Sequence, residues 1–68
     1  MLQKRSINLS GHSTSIALES EFWTVLEEMA AADALPLAAL LRRIDETRGL
    51  RPLASACRLA ALSWRRGG

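Results

Sequence analysis

The chain of 68 residues has one cysteine, one histidine and no long apolar run. Because Cys57 has no second cysteine to pair with, an intrachain disulfide is excluded and a reducing compartment is indicated. Cys57 and His12 cannot complete a four-ligand zinc site in one chain, so we expect no metal and no cofactor. No segment approaches the roughly 20 apolar residues of a membrane span, and no apolar stretch follows Lys4 and Arg5 as in a secretory signal. We therefore predict a cytoplasmic protein with no membrane contact.

The small size sets a second limit. A chain this short buries only about 60% of its unfolded surface, so it is marginally stable by itself. Hydrophobic residues make up 49% and charged residues 24%, which is typical of a globular domain and not of a disordered one. Since a disulfide and a metal are both excluded, we expect a partner chain to supply the missing stability.

Charge is distributed unevenly, although the net charge is only +2. Residues 1–18 hold two basic side chains and no acid, residues 19–33 hold five acids, and residues 34–68 hold seven arginines against two acids. Two basic segments can converge on one surface for an anionic partner, or the charges can lie on solvated helix faces.

The N-terminal third alternates between polar and apolar residues, which predicts β-strands. The alternation runs over residues 5–9 and again over 13–18, with a turn at Ser10 and Gly11. The strand at 13–18 has unpaired backbone edges and needs a neighbour. Either residues 5–9 fold back on it as a hairpin, or the same strand of a second chain pairs with it.

Three helices are predicted after the strands. The first spans about residues 20–32, with Trp23 beside its apolar stripe at the edge of the core. The second spans about 36–47 and ends at Gly49, which suits a helix C-cap. The third spans about 52–65, and its core face comprises Leu53, Ala56, Cys57, Ala60 and Trp64. Leu59 and Leu62 lie on nearly the opposite face of the third helix, which indicates a helix sandwiched between neighbours or subunits.

Several segments together resemble the ribbon-helix-helix proteins, the superfamily of the Arc and methionine repressors. They are STSIALESEFW at 13–23, LEEMA at 26–30 and LPLAALL at 35–41. With Lys4-Arg5-Ser6 and Gly11-His12, the run is similar to a bacterial subfamily called ribbon-helix-helix domain. We therefore expect a mainly α fold with a short N-terminal β-ribbon and an additional C-terminal helix. Its parts are a basic arm or extra strand at 1–11, the core at 12–48, the additional helix at 49–66 and a tail at 67–68.

The resemblance implies an intertwined homodimer that binds double-stranded DNA as a transcriptional regulator. A two-stranded ribbon fits the major groove, which is about 12 Å wide, with its outward side chains against base edges. The implied base contacts are Ser13, Ser15 and Ala17, and the implied phosphate contacts are Lys4, Arg5 and Arg42. The implied dimer core comprises Ile16, Leu18, Phe22, Leu26, Met29, Leu40, Leu41 and Ile44.

This chain departs from similar proteins at two places. Similar proteins commonly carry arginine or lysine on the ribbon at the position where this chain has Ser13. Before the second helix they often carry glycine followed by serine or threonine, where this chain has Ala34 and Pro36. Residues 1–9 also leave an alternative open. Paired beside 13–18 in a dimer, they widen the ribbon to four strands and block the usual insertion, whereas a loose arm can follow the phosphates.

Catalysis is not expected, because the sequence has no nucleophile motif and no glycine-rich phosphate loop. His12 is predicted to be a polar turn residue, and Cys57 a small buried hydrophobe. An alternative function is a protein-interaction module that binds a partner protein through Leu59 and Leu62. A membrane-surface helix at 52–66 is the weakest reading, because its arginines interrupt the apolar face.

Overall fold

A β-hairpin packed against three helices makes up the fold, in a computed structural model that describes residues 1–67. The strands are β1 (Leu2–Leu9) and β2 (His12–Glu19), and the helices are α1 (Ser20–Ala32), α2 (Leu37–Thr47) and α3 (Leu53–Gly67). The predicted ribbon, two helices and additional C-terminal helix are confirmed.

The hairpin turns on two residues that both have positive φ. Ser10 has φ 52° and Gly11 has φ 86°, the sign that a type I′ turn requires at both central positions. β1 and β2 then pair antiparallel without interruption, from Leu9 opposite His12 to Leu2 opposite Glu19. Residues 2–9 therefore form a strand and not a loose arm. One edge of β2 is paired with this strand of the same chain.

Helix α1 ends in a Schellman motif. The Leu35 amide donates to the Ala30 carbonyl at 2.8 Å, and the Ala34 amide donates to the Ala31 carbonyl at 3.0 Å. This motif needs a left-handed residue at Ala34, which has φ 54°. Alanine therefore occupies a position that glycine adopts at lower cost.

Helices α2 and α3 each begin just after a proline. Pro36 is the N-cap of α2, and its carbonyl accepts the Ala39 amide at 3.0 Å. Gly49, with φ 63°, follows the last turn of α2 as predicted. Helix α3 continues to Gly67, beyond the predicted end near Arg65, and Gly68 lies outside the described residues.

The core lies between the inner face of the hairpin and the three helices. Six of the eight residues predicted for a dimer core are buried within this single chain, whereas Phe22 and Met29 are only partly buried. Whether a second chain shares that core stays a prediction. The buried apolar residues are Leu9, Ile16, Leu18, Trp23, Leu26, Ala30, Leu40, Leu41, Ile44, Ala56, Cys57 and Ala61.

Trp23 is the largest fully buried side chain, with 1% of its surface exposed. The prediction that it lies at the edge of the core is wrong, because β1 packs against the side of α1 that carries it. Its Nε1 donates to the Gln3 carbonyl at 2.9 Å, and the Arg5 guanidinium lies 4.5 Å from the ring centroid. Trp23 thus fastens the first strand to the first helix.

Helix α3 buries a narrow face of small residues. Ala56, Cys57 and Ala61 are buried, whereas Trp64, predicted on the same face, is 38% exposed. Two ion pairs hold α3 in place, from Arg58 to Glu19 and from Arg65 to Glu28. Leu59 and Leu62 remain 45% and 50% exposed, so residues 1–67 cover this surface of α3 only in part.

Candidate nucleic-acid interface

The outer face of the hairpin carries mainly small polar side chains, with one lysine. Because directly opposed residues in an antiparallel pair share a face, the register places four pairs on it. The pair at the open end of the hairpin is Leu2 with Glu19, and the others are Lys4 with Ala17, Ser6 with Ser15, and Asn8 with Ser13. All are exposed except Ala17 and Glu19, which are partly buried. The face can donate and accept hydrogen bonds, and its small side chains allow a flat partner to approach closely.

The three implied base contacts lie together on this outer face. Ser13, Ser15 and Ala17 follow one another at every second position of β2, and Lys4 lies beside them on β1. Arg5 lies on the opposite face, opposite the buried Ile16. The hairpin register therefore separates two adjacent basic residues whose roles looked equivalent in the sequence.

Two further residues of the outer face, Ser6 and Asn8, were missed by the sequence reasoning. Both lie on β1 and are brought beside the predicted contacts by the in-chain pairing. Their signal was present, because they alternate with the apolar Ile7 and Leu9. This alternation alone does not place Ser6 and Asn8 beside Ser13 and Ser15, because the sequence does not determine which strand residues 5–9 pair with.

Arg5 is already engaged on the inner face. Its Nη1 donates to Glu27 Oε2 at 3.0 Å, while its guanidinium covers the Trp23 ring. The Arg5 side chain is 37% exposed and that of Glu27 54%, so solvent screens the pair. A phosphate contact by Arg5 would require its guanidinium to leave Glu27.

The charges near the ribbon favour an anion. The carboxylate at the end of β2, Glu19, accepts two hydrogen bonds from Arg58, at 2.9 and 3.2 Å. These hydrogen bonds lower the pKa of the Glu19 carboxyl, so it stays ionised and neutralised by its partner. Lys4 and Arg42 are exposed and form no ion pair within residues 1–67. They are thus available to a negatively charged ligand.

The second edge of β2 has no strand beside it among the described residues 1–67. The two-residue turn makes Leu9 and His12 a hydrogen-bonded pair, and such pairs alternate along an antiparallel ladder. The amides and carbonyls of Ser13, Ser15 and Ala17 consequently point away from β1. A free strand edge is a template for pairing with another chain.

Other chemistry finds little support in the described part of the chain. Burial raises the pKa of the Cys57 thiol to about 11, so it stays protonated and unreactive at neutral pH. Among residues 1–67, no group of three or more His, Cys, Asp and Glu side chains can hold a metal ion. Every helix in that range is too short or too polar to cross a bilayer.

The comparison with protein families agrees with this geometry. The profile of the family described as ribbon-helix-helix domain matches residues 2–65, almost the whole chain. No curated protein and no solved structure matches the sequence. Because the family match covers both strands and all three helices, the chain belongs to the ribbon-helix-helix domain family.

Proposed function

We propose that this ribbon-helix-helix protein is a DNA-binding homodimer that regulates transcription through the outer face of its β-ribbon. The observation that carries the proposal is the composition of that face. Lys4, Ser6, Asn8, Ser13 and Ser15 lie together on it, and the carboxylate at the end of β2 is neutralised by Arg58. Serine and asparagine can hydrogen-bond base edges or phosphate oxygens, and lysine binds phosphate.

The roles follow from position on the sheet. Ser13, Ser15 and Ala17 on β2 would face base edges, where serine can donate or accept and alanine can contact the thymine methyl group. Lys4 on the same face and Arg42 on α2 would contact phosphates, which gives affinity without sequence preference. Arg5 would join them only by leaving Glu27 and the Trp23 ring.

Dimerisation would use the free edge of β2. Antiparallel pairing of two β2 strands joins two hairpins into a four-stranded sheet, with both outer faces on the same side. The edges of β1 then remain outermost. This arrangement satisfies the exposed backbone groups of Ser13, Ser15 and Ala17, and it doubles the number of outward side chains.

A pair of acidic substitutions on neighbouring residues tests the DNA-binding face. Ser15→Glu places a negative charge at the centre of the outer face, whereas Thr14→Glu places the same charge on the other face of the same strand. Both residues are exposed and keep their backbone amide. In fluorescence anisotropy with duplex DNA at low salt, Ser15→Glu should abolish binding and Thr14→Glu should change it by less than about threefold. Equal effects of the two variants would refute the assignment of the outer face.

Two further measurements, one on the wild-type protein and one on a Lys4 variant, complete the test. Selection of bound sequences from a random duplex pool at near-physiological salt determines whether β2 reads bases. Lys4→Gln should reduce the slope of log affinity against log salt by about 0.9 per lysine, or about 1.8 per dimer. If the wild-type protein binds no duplex even at low salt, the proposed function fails.

A further inference from the structure

A shallow groove runs along α3 and is lined by no residue of the ribbon among residues 1–67. Two adjoining depressions of about 300 and about 610 Å³ form it, and Leu59 lines both. The first lies between α2 and α3 and includes Ile44 and Arg51. The second continues past Leu62 to Arg66. We call this surface the α3 groove.

Leu59 and Leu62 add apolar surface to the α3 groove and lie outside the buried core. Leu59 and Leu62 are about half exposed, while the core contact of α3 is made by Ala56, Cys57 and Ala61. Leucines spaced three apart on a helix form a stripe that another helix can cover. A partner that packs on this stripe would bury the part of each leucine that the described residues leave exposed.

Both ends of the α3 groove are basic. Arg51 lines one end and Arg66 the other, and neither forms an ion pair with a residue in the range 1–67. Arg48, which also lines the groove near Arg51, forms an ion pair with Asp45, with 2.7 Å between Arg48 Nε and Asp45 Oδ1. No acidic side chain lines either depression. Helix α3 begins two residues after Arg51, and its rise from Leu53 to Arg66 is about 20 Å, or between three and four helical turns.

We propose that the α3 groove binds an acidic amphipathic helix of a partner protein. Its apolar stripe would cover Leu59 and Leu62, and acidic residues near its two ends would meet Arg51 and Arg66. A second copy of this chain is a poorer occupant, because antiparallel pairing of two such grooves brings Arg66 of one copy toward Arg51 of the other. Like charges at both ends oppose that arrangement.

The proposal is tested with synthetic helices of about four turns, matched to the length of the groove. One peptide carries leucines on one face and glutamates near both ends, a second replaces the glutamates by lysines, and a third scrambles the leucines of the first. With full-length protein, the acidic peptide should bind at least about tenfold more tightly than either control. Equal affinity for the acidic and basic peptides overturns the proposal, as does no binding of the acidic peptide at about 1 mM.

Protein variants locate the site. Leu59→Ser and Leu62→Ser should each lower the affinity for the acidic peptide about tenfold, since each variant loses the contact of one buried leucine. The double variant Arg51→Glu with Arg66→Glu should reverse the preference and bind the basic peptide. Arg42→Glu is the matched control, because Arg42 is an exposed arginine outside the groove and should leave peptide binding unchanged. Circular dichroism and melting temperature verify that each variant folds.

Two other occupants are distinguished in the same experiments. If Leu62→Ser weakens self-association in sedimentation and leaves peptide binding unchanged, a second copy covers the groove and the proposal is overturned. Binding to anionic phospholipid vesicles, but to no peptide, would overturn it in favour of a membrane surface. Because Ser15→Glu is designed to remove DNA binding at the ribbon and lies outside the α3 groove, peptide binding by that variant separates failure of this proposal from failure of the DNA proposal.

Discussion

Proline at Ser15 is the sharpest test of how two chains would join. Ser15 faces Ser6 across the ladder, and each should direct its amide away from the other strand. Ser15→Pro therefore removes no hydrogen bond from the hairpin, but it removes a donor from the free edge of β2. Ser6→Pro makes the same change on the outer edge of β1. The two variants differ only in which edge of the ribbon loses its donor.

The expected magnitude follows from the register. A two-fold axis at Ser15 would pair Ser15 with its own copy and Ser13 with Ala17 of the other copy, for a total of about six interchain hydrogen bonds. Ser15→Pro removes two of these six. At about 0.5–1.5 kcal/mol each, the dimer should lose about 1–3 kcal/mol, which raises its Kd by about five- to 150-fold.

Sedimentation equilibrium over a range of protein concentrations measures this change directly. Ser15→Ala, which keeps the amide, should dimerise like the wild type, and so should Ser6→Pro. The melting temperature of the wild type should also rise with protein concentration, whereas that of Ser15→Pro should rise less. Circular dichroism of each variant verifies that the hairpin and helices persist.

Two results would refute this reasoning. If Ser15→Pro and Ser6→Pro weaken the dimer equally, the β2 edge is not the specific contact between chains. If the wild type sediments as a folded monomer at every concentration, the homodimer itself is wrong, and the core of one chain suffices for stability.

Three further changes test the fold within one chain. Trp23→Phe should cost about 2–3 kcal/mol in urea denaturation, because it shrinks a buried ring and removes the hydrogen bond from Nε1 to the Gln3 carbonyl. Ala34→Gly should raise stability by about 0.5–1 kcal/mol, since it relieves a left-handed alanine; a loss of stability would contradict the Schellman geometry. Glu19→Gln should lower the melting temperature at neutral pH, where the folded-state pKa of Glu19, held below 4.5, keeps the pair with Arg58 intact. That difference should close as pH falls through and below 4.5; a constant difference would mean that the ion pair is not its cause.

Most of the fold could be predicted because its signals are local. The i, i+3, i+4 spacing in α1 and α2 and the alternation in β2 each depend on a few neighbouring residues. Trp23 was misplaced for a physical reason. It flanks the predicted apolar stripe of α1, and two of its contacts, with the Gln3 carbonyl and the Arg5 guanidinium, come from β1, whose pairing could not be decided from periodicity.

The candidate site shows the same limit. The every-second-residue spacing of Ser13, Ser15 and Ala17 was enough to place them on one face. Lys4 and Arg5, adjacent in sequence, separate to opposite faces once β1 pairs with β2. The inner position of Arg5 is then fixed by Glu27 and Trp23, which are more than 15 residues away along the chain. No local pattern contains that information.

The in-chain pairing also constrains how the ribbon can meet DNA. β1 cannot be treated as a detachable arm, because it supplies the buried Leu9 and the acceptor for Trp23 Nε1. In the proposed dimer, two hairpins joined through β2 would present four strands spanning about 14 Å, wider than the major groove at about 12 Å. The central β2 strands would face the bases while the β1 strands rest over the phosphates on either side. Lys4 would then lie at the groove wall, where its charge contributes most to affinity. Small side chains at Ser6 and Asn8 allow β1 to approach the backbone closely, and a larger residue in place of Ser13 would hold so wide a sheet farther from the base edges.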